Sequence, residues 1–270
     1  MSWSIFTRII KDKKSALLWY TLGAIGTVEM YIALFPAIQK QSEQLNQLLA
    51  AYPKGFMQAF GFNGTQALFS TVESYMSTEY FSFFWPIMVV TMLIAFANLM
   101  IVTEIEKGTM ELTLAQPISR LQLFFTRYFA GVVYFLIFDL VSIFAMIPIA
   151  KLNGVEYHFA NYFTITGISI LFGLAIFSMA TLFSAIFSEK GKAVAVSSSV
   201  LLLMYVLNIV SSLKDTLRDV RYFSIFYYFN PSTVFGNNQV VQYSVPVFIG
   251  IIVVLTAAAA FWFNRRDIAV

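Results

Sequence analysis

Residues 104–120 read EIEKGTMELTLAQPISR. Gly108 and Thr109 end one helix and open another, because glycine tolerates the left-handed turn that closes a helix and a threonine hydroxyl can accept from the backbone N–H groups of the next turn. Glu111 then lies near the positive end of the short helix that follows. Pro117 stops that helix, and Ser119 with Gln122 forms an S-x-x-Q capping box that starts a further one. The reading is helix, stop, short helix, stop, helix, with the middle piece presented as a rigid knob.

Working outward, the knob lies between two long apolar runs, 80–103 and 128–150. Runs of the same kind occupy 15–36, 163–187, 193–213 and 245–263. Each approaches the roughly 20 residues a helix needs to cross a bilayer core, where every backbone polar group must be satisfied within the segment. Composition agrees. Of 270 residues, 59% are hydrophobic and only 11% charged, against about a quarter charged in a soluble domain. Mean hydropathy is +0.75. The expected fold is an all-α integral membrane protein with six transmembrane helices, and the spans leave no room for a second soluble domain, so 1–270 is one transmembrane unit.

The same composition excludes several chemistries. With no cysteine there is no disulfide, thiolate metal site or cysteine nucleophile, and a single histidine, His158, excludes a multi-histidine metal centre. No metal or other cofactor is expected on this chain. No G-x-x-x-x-G-K-[ST] occurs; Gly191-Lys192 runs into Ala193, so no phosphate cradle exists and the chain is not expected to hydrolyse ATP. HExxH and GxSG sites are also missing, so intramembrane proteolysis has no support. The net charge of +3 does not form a nucleic-acid patch, because the cations flank apolar segments.

Those cations set the orientation. Arg8, Lys11, Lys13, Lys14, Lys107, Arg120, Arg127, Lys190, Lys192, Arg265 and Arg266 fall on one side, close to span ends. Lys40, Lys54, Lys151, Lys214, Arg218 and Arg221 are spread over longer loops on the other. Both termini and 104–120 are therefore expected in the cytoplasm, with Trp19 and Trp262 at the inner interface and Trp85 near the outer one. Trp3, Phe6 and Ile10 recur at helical spacing among polar residues, predicting a short interfacial helix over 1–14 ahead of the first span. The outer loop 37–79 carries Leu45, Leu48, Leu49 and Tyr52 on one helical face before Pro53, Gly55, Gly61 and Gly64 break the pattern. Within 214–244 the octet 222–229 is too short to cross, and Asn230-Pro231 turns it back as an outer re-entrant segment.

The acids, Gly-Thr, Pro and Ser-Arg of 104–120, standing between the second and third of six spans, resemble the signature of ABC-2 permeases, the membrane subunits of ATP-binding-cassette exporters. The resemblance extends to the basic N-terminal helix, 226–231 (FYYFNP) and the closing Arg265-Arg266-Asp267-Ile268. It implies that 104–120 holds the coupling helix, which docks in a groove of a cytoplasmic ATPase. Glu104, Glu106, Glu111 and Arg120 would supply docking contacts, while Gly108, Thr109, Pro117 and Ser119 set the helix geometry. For Gly108, Pro117 and Ser119, helix capping and breaking is an equal alternative. The resemblance further implies that 1–14 is a connecting helix, that two partner ATPases bind the ATP and magnesium, and that two permease copies pair, most simply as a homodimer, in the plasma membrane of a prokaryote.

Two acids fall inside spans, Glu29 in the first and Asp139 near the middle of the third. A carboxylate at that depth costs about 3 kcal/mol on insertion scales. Asp139 reads equally as a polar lining or proton site and as a carboxyl bonded by residues such as Asn98, Tyr134, Asn208 or Ser142; Glu29 reads as structural, and His158 as simply exposed. The rival functions are an ATP-driven transmitter of motion to an outer partner, and an ion-driven carrier titrating Asp139. Substrates of the resembling proteins range from sodium and peptide antibiotics to lipids and glycoconjugates.

Overall fold

The computed structural model describes residues 2–44, 69–213 and 215–267. Within them the chain is helical without strands. The long helices are α1 (Trp3–Lys40) and α2 (Val72–Met100), followed by the short α3 (Val102–Glu106) and α4 (Met110–Leu114). Then come α5 (Arg120–Leu152), α6 (Phe159–Ile186) and α7 (Lys190–Leu213), the five-residue α8 (Ile225–Phe229), and α9 (Ser244–Arg265). Among the described residues six helices are long and apolar enough to cross a membrane. The amphipathic outer helix expected over 45–52, and the break at Pro53 to Gly64, lie outside the described residues.

At the centre stands α6, packed against α2, α5, α7 and α9. Its sequence carries no charge and mixes Phe and Leu with Gly, Ala, Ser and Thr, so neighbouring backbones can approach from every side. Against α5 the fit is reciprocal. Phe177 of α6 lies over Gly131 of α5, and Phe135 of α5 lies over Gly173 of α6; a Cβ at either glycine would overlap the facing ring. A polar cluster joins a third helix to this pair. The Tyr128 and Ser178 hydroxyls are 2.8 Å apart, and Thr256 of α9 donates to both, at 3.0 and 3.1 Å.

Three expectations need correction. The helix expected over 1–14 is not a separate element. With no glycine or proline before Gly23, nothing interrupts the backbone, and α1 runs unbroken through Pro36 to Lys40. Its start packs on α5, with the Ser2 amide donating to Thr126 Oγ1 at 3.0 Å and Phe6 6.0 Å from Phe129. Second, the outer loop is shorter than 37–79, because helix also resumes at Val72, ahead of the expected 80. Third, Trp85 is not an interfacial ring. It is fully buried, stacked on Phe229 at 5.4 Å, and Phe229 in turn stacks on Phe172 of α6 at 4.4 Å.

That stack shows where the 214–244 segment goes. After a 3₁₀ helix (Asp215–Phe223), α8 and a π-helical turn (Ser232–Gly236) fold back onto α2 and α6, where Asn161 donates to the Phe235 carbonyl at 2.7 Å. At the same end His158, although exposed, is engaged. Its backbone N–H donates to Glu73, whose buried carboxylate also faces the imidazole Nδ1 at 3.4 Å, tying the loop before α6 to the start of α2.

Candidate functional site: the elbow between α2 and α5

The α2 helix breaks at Ile101, whose φ of −127° and ψ of −76° are not helical. Ser184 of α6 bridges the break: its hydroxyl accepts from the Val102 amide at 3.1 Å and donates to the Ala97 carbonyl at 3.0 Å. The chain continues as α3 and closes at Gly108, which adopts φ +69°. Any side chain there would be strained, as expected for a helix-ending glycine. Thr109 departs from its expected role. It sits in the helical region and its hydroxyl caps nothing in α4; it reaches back towards the Glu104 carbonyl at 3.4 Å. A capping residue needs an extended backbone, and the left-handed Gly108 has already made the turn. Ser119 is extended, and its hydroxyl accepts from the Gln122 amide at 3.1 Å, starting α5 as expected.

The charges of the elbow turn inward. Glu104 Oε2 meets Arg127 Nη2 at 2.6 Å. The Arg127 guanidinium, 4% exposed, also donates to the Met100 carbonyl at the end of α2 and lies 3.5 Å from Met110 Sδ of α4. One side chain of α5 thus joins α2, α3 and α4. A buried guanidinium is tolerated only when paired and hydrogen-bonded in this way. Glu106 Oε2 accepts from the Lys190 amide at 3.0 Å, placing a negative charge on the N-terminus of α7. Arg120 donates to the Arg266 carbonyl beyond α9. Arg266 in turn caps the end of α6, donating to the Ala185 and Phe187 carbonyls at 2.7 and 2.8 Å and to the Ser188 hydroxyl.

Of the residues singled out from the sequence, Glu104 and Arg120 therefore turn towards the bundle, while Glu106 is exposed and bonded to the start of α7. Gly108, Thr109 and Pro117 are exposed on the knob with Ser119, and Glu111 is half-buried. The knob is two-faced: Met110 is fully buried beneath it, while Leu112 is 75% exposed at its tip. Sequence reasoning missed Arg127, Ser184 and Arg266 as bracing residues. Arg127 carried a signal, since a helix started by Ser119 places it two turns in, on the same face as Phe124 and Gly131.

The two intramembrane acids do not join this site. Asp139 is fully buried, facing the Ser169 hydroxyl of α6 and within electrostatic reach of Tyr80 of α2, and neither carboxyl oxygen has a well-aligned hydrogen bond among the described residues. Ser142 and Asn98 spend their donors on backbone carbonyls, of Asp139 itself and of Ile94. Glu29 is exposed on α1 and faces Asn153 Nδ2 at 3.4 Å, near the far end of α5.

A family model described as ABC-2 family transporter protein matches residues 6–268. The chain belongs to this family. A comparison with curated proteins finds no match. As an ABC-2 permease it is a multi-pass integral membrane protein and the membrane component of an ABC transporter, a family that associates with an ATPase subunit. In this permease α2, α5, α6, α7 and the end of α9 all bond to the elbow or to its bracing arginines. The start of α1 reaches the same end through Thr126.

Proposed function

We propose that two copies of this permease form an export path, most simply as a homodimer in the plasma membrane of a prokaryote, and that a cytoplasmic ATPase pair drives it through the knob at 104–120. ATP and magnesium then belong to the ATPases, and the permease catalyses nothing itself. The distribution of Lys and Arg supports the cytoplasmic placement of the elbow and both termini. The observation that carries the reading is the two-faced knob: Leu112 is offered outward with the half-buried Glu111 beside it, while Glu104, Glu106 and Arg120 tie the elbow to α5, to the start of α7 and to Arg266 beyond α9. A push on Leu112 is thereby delivered to helix ends and not absorbed by a loose loop.

The test is co-purification with the co-expressed ATPase and stimulation of its activity. Burying a leucine contributes about 1.5–3 kcal/mol, so Leu112→Asp is expected to weaken association at least tenfold. Its exposed position should leave thermal unfolding of the permease nearly unchanged. Glu111→Lys together with Glu106→Lys should add to the loss. Retained association and stimulation in both the Leu112→Asp and the doubly substituted variant would show that the ATPase docks elsewhere.

Asp139 supplies a separate expectation. Asp139→Asn preserves shape and removes the ionisable group, so transport should fall more than expression does; unchanged transport assigns Asp139 to packing alone.

A further inference from the structure

At the end of the bundle away from the elbow, α1, α2, α7 and the returning 215–243 segment line a half-open cavity of about 1020 Å³. Part of its wall is the π-helical stretch of α2, Ser77–Phe84, a rare geometry that recurs at functional sites because it re-aims side chains. The walls carry opposite charges. On one side, Arg218 and Arg221 project from the 3₁₀ helix. The Arg221 guanidinium lies over the rings of Tyr222 and Tyr227, 5.0 and 4.7 Å from their centroids, and bonds the Tyr222 hydroxyl at 3.0 Å. Its buried Nε has no partner among the described residues. On the other side is Glu79, which forms no ion pair among the described residues and lies beside Tyr31 and Tyr75, with Tyr31 edge-on to Phe84 at 5.8 Å. A second cleft of about 240 Å³, almost wholly apolar, shares Phe83, Pro86 and Phe226 with the chamber and continues between α2 and α7 past Val90 and Leu202, the latter 63% exposed.

Planar, oriented guanidinium donors suit phosphate, and a carboxylate with aromatic neighbours suits an ammonium group. Arg218 is exposed and Arg221 half-buried with Asp219 nearby, so the chamber offers cationic donors on the 3₁₀ helix and a half-buried carboxylate on α2, a pairing that a ligand carrying both charges can meet at once. The apolar cleft opens sideways between two membrane helices, the direction from which a hydrocarbon chain arrives.

We propose that the chamber binds an amphiphile with a zwitterionic phosphate–ammonium headgroup, the phosphate on Arg221 and Arg218, the ammonium on Glu79, and an acyl chain in the cleft between α2 and α7. As the assignment of a transported substrate class it rests on the export reading above. Binding needs no ATPase, so its failure is distinct from failure of the coupling experiment.

The full-length permease, purified in a maltoside detergent, is titrated with dihexanoylphosphatidylcholine, dihexanoylphosphatidylglycerol and free phosphocholine. The phosphatidylcholine is expected to bind most tightly, with Arg221→Gln and Glu79→Gln each weakening it about tenfold, as for loss of one charge-assisted contact. Equal or tighter binding of the glycerol lipid overturns the ammonium site. Equal binding of free phosphocholine overturns the role of the cleft. Unchanged affinity in both variants overturns the proposal entirely. Should a variant misfold, the unaltered protein decides: a photoactivatable short-chain phosphatidylcholine should label peptides containing Phe83 and Phe226, and labelling confined to other helices is the contrary result.

Discussion

Glu104→Ala is expected to unfold the inner end of this permease at markedly lower temperature and to abolish ATPase stimulation. Arg127 is 4% exposed and, among the described residues, has one carboxylate partner, at 2.6 Å. Removing one member of a buried pair costs roughly 3–5 kcal/mol, because the remaining charge is left uncompensated in a poorly solvated site. Glu104 keeps about a third of its surface in solvent, so the lower end of that range, about 3 kcal/mol, is appropriate. The Met100 carbonyl and the weak Met110 Sδ acceptor would then be left to carry the guanidinium. The double variant Glu104→Gln with Arg127→Met removes both charges and should recover much of the melting temperature. It should not recover coupling, because α3, α4 and the end of α2 are no longer tied through one side chain. Thermal unfolding of the purified permease and ATPase stimulation separate the two effects; a single variant that melts like the parent shows that the pair is not holding the elbow.

The second large effect is expected at the reciprocal contact of α5 and α6. In Gly131→Ala the new methyl group would overlap the Phe177 ring, and in Gly173→Ala the Phe135 ring. Neither ring has room to retreat. Phe177 is packed against Tyr128 at 5.1 Å and Phe96 at 6.1 Å, and Phe135 is fully buried. Overpacking of this kind costs about 1–3 kcal/mol at each site, and the pair should approach additivity only in part, since the sites share one interface. Gly131→Ala combined with Phe177→Leu should melt closer to the parent than Gly131→Ala alone, because the smaller side chain vacates the overlapped volume. If that combination is no better than the single change, the contact is not limited by volume. Expression level and melting temperature in detergent provide the measurement.

Much of the site was legible where its logic is local. Ser119 starts α5 as expected, since a side-chain oxygen meeting an amide three residues on depends on little else. Gly108 takes the left-handed turn for a similarly local reason. Thr109 was misread because the same sequence admits two cap assignments, and the preceding turn chose between them. The hydrogen-bond partners of Glu104, Glu106 and Arg120 are not legible in the loop itself. As a string, EIEKGTMELTLAQPISR does not show that Arg127, Lys190 and Arg266 arrive from three other parts of the chain to meet it. Trp85 failed for the same cause: position along the span predicted an interface, and the returning Phe229 covered it.

From the order of residues alone follow the six apolar helices, the punctuated elbow between the second and third, and the lack of any nucleotide cradle. These properties are intrinsic to short segments, because a backbone in hydrocarbon must satisfy its own hydrogen bonds and a glycine or cap acts within one turn. Only the folded bundle decided which arginine neutralises which acid, that Gly131 and Gly173 receive each other's neighbouring rings, and that opposite charges line the chamber at the far end. Those pairings join residues tens to more than a hundred positions apart, and in a chain with 29 phenylalanines the sequence offers many apolar partners of equal merit until packing selects one.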